Sequence, residues 1–444
     1  MTPMIETQHV SPMALSRRGF VGGLMGAGAM ALLPHRALAE ILADEALYPR
    51  VAALVHAYAD TGRLAGVVTL IGRGAAQAVY ARGVQTLGDP HPAGPDSLYR
   101  AYSMTKPITG MAAMMLIDEG KLGLDQPIAD ILPKFARMQV QVTPDGSITD
   151  LKPAQTQITV RHLLTHTAGL GYSIIQKGPL RKAYEEAALL PGAVSRNTLP
   201  GLPAVKPLPS LAAFADKLAE MPLVYEPGTK WSYSVALDLL GRVIEVVAGK
   251  PFDTFLAERI FGPCGMASSG FRVAPENAAR LTTDYTIVNG KLVPIDPAAT
   301  SIYLDPPAYP YGGAGLVTSP RDYDRFLAML LNYGTIDGQR VMSERAVRMG
   351  TGDLLPPALA GGTDVFGEKS AFGAGGRVSL GAAAGTFGWG GLAGTVGFIS
   401  YRAGVRAGLW VQYLPSGLLP IGEEFAKAVR EDLIAAAMAG KKAA

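Results

Sequence analysis

The chain has 444 residues, 48% of them hydrophobic and 17% charged, which excludes a disordered protein and suits one large domain or two lobes on a shared core. The formal net charge is +3, and Arg17, Arg18 and Arg36 stand against Glu6 in the first 39 residues, so the remainder carries only +1. No basic stripe, zinc-finger spacing or aromatic-basic motif points to nucleic acid.

Ser16-Arg17-Arg18-Gly19-Phe20-Val21 precedes a short apolar stretch, 22–33, and Ala37-Leu38-Ala39 follows. Paired arginines, a modest apolar region and a small-x-small site resemble a twin-arginine signal. Residues 1–39 are therefore expected to be an export leader served by the Tat machinery, and 40–444 one folded domain, periplasmic or secreted. A flexible N-terminus and an uncleaved anchor are the alternatives, although the apolar run is short for a bilayer span.

Apolar spacing predicts a helix over 47–59, then strands over 66–71 and 78–84 around Gly72-Arg73-Gly74. A long helix is expected over 105–119, ending at Gly120. Val140-Gln141-Val142 and Ile158-Thr159-Val160 suggest a small hairpin around Pro144-Asp145-Gly146. The Pro- and Gly-rich segment 178–209, around Leu199-Pro200-Gly201-Leu202-Pro203, reads as a loop, with or without a short helix, of the kind that covers active sites. Helical patterns follow over 210–220, 235–248, 252–260 and 320–333. Strands are expected over 387–389, 396–401 and 407–413, and a last helix over 422–439. The fold class is thus α+β: a sheet from N- and C-terminal segments with flanking helices and an inserted, mostly helical lobe. The lobes are placed at 40–102 with 335–444, and at 103–334.

Ser103-Met104-Thr105-Lys106 opens the long helix. A lysine three residues on shares the serine's face and can take its proton, provided the amine is neutral. A phenol, Tyr233 of Tyr233-Ser234-Val235, can relay that proton to a leaving group, so nucleophile, base and acid are available without histidine. Trp389-Gly390-Gly391 on a flanking strand would let a substrate approach the backbone, with the N–H groups of Ser103 and Leu392 as oxyanion donors. Each residue has a plainer reading: Ser103 as a helix cap, Lys106 as a surface charge, Tyr233 as a packed aromatic, Gly390-Gly391 as a bulge. His166, in Leu163-Leu164-Thr165-His166-Thr167-Ala168-Gly169-Leu170, is the best histidine candidate for a base and reads more naturally as a structural residue. The only cysteine, Cys264, reads as a small buried hydrophobe. The histidines have no metal-ligand spacing, and nothing requires a cofactor.

Together these stretches resemble the serine β-lactamase-like superfamily: class C β-lactamases, DD-peptidases and family VIII carboxylesterases. The matching pieces are Ser103 to Lys106, Leu163 to Leu170, Glu226 to Ser234, Gly312-Gly313-Ala314-Gly315-Leu316 and Phe387-Gly388-Trp389-Gly390-Gly391, in family order. The resemblance implies a β-lactamase/transpeptidase-like fold, Ser103 as the acylated nucleophile, and Lys106 and Tyr233 as the general-base pair. Two departures stand out. Val235 replaces the asparagine that ends the tyrosine motif, and Trp389-Gly390-Gly391 stands where Lys-Thr-Gly or a close variant is usual. Losing a cation and a carboxamide leaves an apolar wall, with Tyr102, Val235, Trp389, Gly390 and Gly391 expected to line it. That points to uncharged esters as substrates. Acyl transfer to an alcohol, weak β-lactamase or D-peptidase action, and a non-catalytic binding protein are the alternatives.

Overall fold

The computed structural model describes residues 45–190, 192–196 and 206–442. The expected leader and the segment 199–203 lie outside the described residues. Helix α1, Pro49–Ala59, carries a proline in its first turn, where a missing N–H breaks no helical bond. Strand β1, Gly66–Arg73, is buried from Val67 through Gly72, as its apolar run, broken only by Thr69, dictates. Strand β2, Ala76–Gly83, returns beside it with Arg73 opposite Ala76. The turn is therefore Gly74-Ala75, later than expected, because Gly72 and Arg73 continue the ladder.

Helix α2, Thr105–Asp118, is buried through Leu116, and Gly120 follows its end at φ +68°. The expected hairpin is corrected: Gln139–Gln141 pairs with Leu151–Pro153, not with 158–160. Thr159 instead caps helix α3, Val160–Leu164. Its hydroxyl accepts the His162 N–H, and His162 Nδ1 accepts the Thr159 N–H at 3.2 Å. Local capping chemistry thus overrides the β-branched run at that point. Helix α4, Gly178–Glu186, forms inside the Pro- and Gly-rich segment.

Helices α5, Leu211–Leu218, and α6, Ala236–Ala248, follow. The helix expected over 252–260 is α-helical only over Phe252–Leu256 and continues as a π turn, Ala257–Phe261. Helix α7, Pro320–Leu331, leads to six strands: β3, Thr363–Val365; β4, Glu368–Phe372; β5, Arg377–Ser379; β6, Thr386–Gly390; β7, Val396–Ser400; and β8, Val405–Trp410. Helix α8, Ile421–Lys442, ends the described chain.

One antiparallel sheet holds all eight strands in the order β3-β4-β5-β6-β7-β8-β1-β2. The β1–β8 ladder joins the early hairpin to the late strands, which is the α+β arrangement the sequence implied. Helix α1 packs on β1 and β2 and α8 packs on α1 and β8, while α6 gathers α2, α3 and α5 into the helical core. Helix α7, assigned above to the helical lobe, packs on β8, β1 and β7. Its Tyr323 ring lies 5.6 Å from Trp410, and Arg406 Nε donates to Asp324 at 2.9 Å.

Candidate active site

From Ser97 to Leu116 every residue is buried except Ser103. The backbone makes it so. Tyr102 takes φ +43° and begins a 3-10 turn, Tyr102–Met104, ahead of α2. A bulky side chain at positive φ is strained, and the surroundings hold it there. The Tyr102 hydroxyl donates to Asp284 Oδ2 at 2.9 Å, Thr105 Oγ1 donates to the Tyr102 carbonyl at 2.6 Å, and the Tyr323 hydroxyl donates to the Met104 carbonyl at 2.9 Å. The Leu316 N–H, from the glycine-rich run 312–316, donates to Thr105 Oγ1 at 3.1 Å.

Ser103 does not act as a helix cap. Its Oγ accepts from Lys106 Nζ at 3.1 Å and from the Tyr233 hydroxyl at 2.7 Å. Lys106 is fully buried, donates to the Gly313 carbonyl at 2.7 Å, and lies 4.6 Å from the Tyr233 ring centre and 5.8 Å from that of Tyr172. The surface-charge reading of Lys106 therefore fails. Serine, lysine and tyrosine meet as the sequence proposed.

The Tyr233 loop is clamped by the segment around His166. Val224, Gly228, Ser232 and Val235 donate backbone N–H groups to Gly169, Thr167, His166 and Gly171. His166 is fully buried at φ +55°, and its Nδ1 accepts the Ser234 N–H at 3.2 Å. Burial, then the Lys106 charge, holds its imidazole well below the usual histidine range, so it stays neutral. His166 is a structural residue. Cys264 is buried as expected, and burial pushes its thiol up to about 12.

Several expected wall residues take other places. Val235 is fully buried in the core beneath the loop. Tyr102 is buried, and its hydroxyl is committed to Asp284. Gly390 is exposed at the end of β6. Gly391 is needed for packing: a Cβ there would overlap Thr395 Oγ1 and come within 2.5 Å of the Ala101 carbonyl oxygen. Trp389 does more than line a wall, since its indole N–H donates to the Tyr233 phenol oxygen at 3.3 Å. Ser103 lies half-buried in the 3-10 turn, and Leu392 lies half-buried just beyond the end of β6.

Two residues escaped the sequence reading. Tyr172 packs edge-on to Tyr233 with ring centres 5.3 Å apart. Asp238 is fully buried in α6 and accepts the Gly313 N–H at 2.8 Å, so the residue whose carbonyl receives Lys106 is held at its N–H as well. Burial raises the Asp238 carboxyl to about 6, with Lys106 pulling it down. Its i+5 spacing from Tyr233 was visible, but nothing in sequence separates it from a solvated helix carboxylate. Among the described residues, no group of three or more His, Cys, Asp or Glu could hold a metal ion.

Residues 51–430 match the Beta-lactamase family. Protein Rv1367c of Mycobacterium tuberculosis (strain ATCC 25618 / H37Rv) is 34% identical over 304 residues, covering 68% of this chain and 71% of that protein. Esterase EstB of Burkholderia gladioli is 31% identical over 363 residues, covering 77% and 84%. The solved structure of EstCE1, described as a hydrolase with promiscuous acyltransferase activity, superposes with a TM-score of 0.69 at 26% identity, over 87% of this chain and 98% of that one. With its Ser-Lys-Tyr cluster set between the antiparallel sheet and the helical core, the chain belongs to the Beta-lactamase family of serine-active-site proteins.

Proposed function

We propose that this protein is a serine carboxylesterase working through an acyl-enzyme on Ser103. One observation carries the reading: Ser103 Oγ, half-buried in an otherwise buried stretch, lies within hydrogen-bond reach of both Lys106 Nζ and the Tyr233 hydroxyl. As Oγ bonds to the ester carbon, its proton passes to the Lys106–Tyr233 pair in the state that holds one proton fewer, free amine or phenolate, and the carbonyl oxygen is met by the Ser103 and Leu392 N–H groups. Collapse breaks the bond to the alkoxy oxygen, which takes a proton from Tyr233 and leaves as the alcohol. Water then repeats the cycle on the acyl group and frees the acid. The Trp389 N–H on the phenol oxygen strengthens as that oxygen gains charge.

The names of esterase EstB and of EstCE1 support ester cleavage, and the tryptophan where the related pattern carries a cation supports uncharged esters. Acyl transfer to an alcohol shares the same first half and is favoured by the description of EstCE1. The test is a p-nitrophenyl ester with Ser103→Ala, and a fluorophosphonate label on the folded wild type. Loss of at least about a thousandfold in kcat and loss of the label are expected. Full activity in the variant overturns the reading. A competing alcohol then separates hydrolysis from transfer: free acid alone excludes transfer. The leader is proposed to export the chain to the periplasm or beyond through the Tat machinery, and a double Arg17→Lys, Arg18→Lys variant that is still exported would refute it.

A further inference from the structure

Strands β3 and β4 are joined by the two-residue turn Phe366-Gly367, with Val365 opposite Glu368. Both turn residues have positive φ, +52° and +86°, which such hairpins satisfy with Asn-Gly, Asp-Gly or Gly-Gly. A phenylalanine in the first position breaks that rule and is a backbone outlier for a bulky side chain. It is not repaid by burial, since Phe366 is 65% exposed, the highest exposure among the large exposed hydrophobic residues described. Its ring lies 5.7 Å from that of Tyr233, 5.7 Å from Trp231 and 5.9 Å from Trp389. A strained, exposed aromatic held against the acid–base tyrosine is a placement that local structure disfavours and a ligand would reward.

We infer that Phe366 is a specificity-determining residue, which with Trp389 forms an aromatic clamp for the alcohol half of the ester and selects planar, uncharged aryl groups. This rests on the ester reading proposed above. When the carbon–oxygen bond breaks, its electron pair goes to the alkoxy oxygen, which takes its proton from Tyr233. The group borne by that oxygen therefore lies beside the Tyr233 ring, where the Phe366 and Trp389 faces stand. An aryl group gains offset or edge-on ring contacts there that a methyl group cannot make. Among the described residues no lysine or arginine stands over the Phe366 or Trp389 ring, and the cation at this cluster, Lys106, lies 4.6 Å from the Tyr233 ring centre and is committed to Ser103 Oγ and the Gly313 carbonyl, so an anionic alcohol half finds no counter-charge at the clamp itself.

The test holds the acyl group at acetate and compares 1-naphthyl with methyl esters in wild type, Phe366→Ala, Phe366→Asn and Phe366→Tyr. The naphthyl-to-methyl ratio of kcat/KM is expected to fall about tenfold in the alanine and asparagine variants and to be kept by tyrosine. Asparagine suits the turn, so a fall there is not a folding effect. A second series, with the alcohol held at naphthol and the acyl chain lengthened, should give the same chain-length profile in every variant. An unchanged naphthyl-to-methyl ratio, or a shift in the acyl profile instead, overturns the inference while leaving ester cleavage standing. Turnover of neither ester by the wild type would overturn both.

Discussion

Asp238 shows how one buried carboxylate shapes the site. Its Oδ1 fixes the Gly313 N–H, while its Oδ2 has no partner among the described residues, and a side chain on Gly313 would come within 2.5 Å of it. An unfolded aspartate titrates near 3.9, whereas this one is raised to about 6. The folded state therefore binds the proton more tightly than the unfolded chain. That contribution to stability is fully present below about pH 4 and lost as the pH rises through about 6. Asp238→Asn keeps the Gly313 bond and removes the titration. Urea unfolding at pH 4 and pH 7.5 should show wild type losing about 2–3 kcal/mol relative to the variant across that window. Parallel stabilities at the two pH values would mean that Asp238 is not buried as described.

At the scale of elements, the end of β6 must press against the segment that carries the nucleophile. The Gly391 N–H donates to the Thr395 carbonyl at 2.7 Å, and its α-carbon leaves no room for a side chain against Ala101. The neighbouring Gly390 has its nearest obstacle, the Thr395 carbonyl oxygen, at 3.3 Å. Gly391→Ala is therefore expected to cost about 1–3 kcal/mol through overpacking. It should also lower kcat, because Leu392 and its N–H move with the strand end. Gly390→Ala asks the Thr395 carbonyl to give by only a few tenths of an ångström and should lower the melting temperature less than Gly391→Ala. Equal melting temperatures for the two variants would remove the packing argument. Helix α3 offers a second check on local chemistry: Thr159→Ala deletes the cap acceptor and should cost about 1 kcal/mol in chemical denaturation.

Across the whole molecule, Arg100 ties distant parts of the chain to the segment that precedes Ser103. Its guanidinium donates to Asp296 Oδ2 at 2.8 Å, to the Thr282 carbonyl at 2.6 Å and to Ser301 Oγ at 3.0 Å, and Gln412 Oε1 accepts its backbone N–H at 3.1 Å. Both Arg100 and Asp296 are buried. Arg100→Met would strand the Asp296 carboxylate and should lower stability by about 3–5 kcal/mol. Removing both charges together, with Asp296→Leu, should recover much of that loss. No recovery in the double variant would mean that the cost lies in packing alone.

The sequence by itself determined the α+β class, most helices, the pairing of early and late strands, and the three residues that meet at Ser103 Oγ. The elements rest on periodicity and turn residues and the Ser103–Lys106 pair on a spacing of one helical turn, whereas Tyr233, 130 positions from Ser103, rests on its place in a family motif. It did not determine that Val235 and Tyr102 lie beneath the site, that Gly391 serves packing, that Trp389 donates to Tyr233, or that Asp238 braces the Lys106 acceptor. Strands β3, β4 and β5 were also illegible, being short and carrying polar or charged residues such as Asp364, Glu368, Lys369 and Arg377. Only the tertiary structure decided these matters. Burial and hydrogen bonding between residues such as Asp238 and Gly313, 75 positions apart, depend on how whole elements pack, and no local pattern encodes that distance.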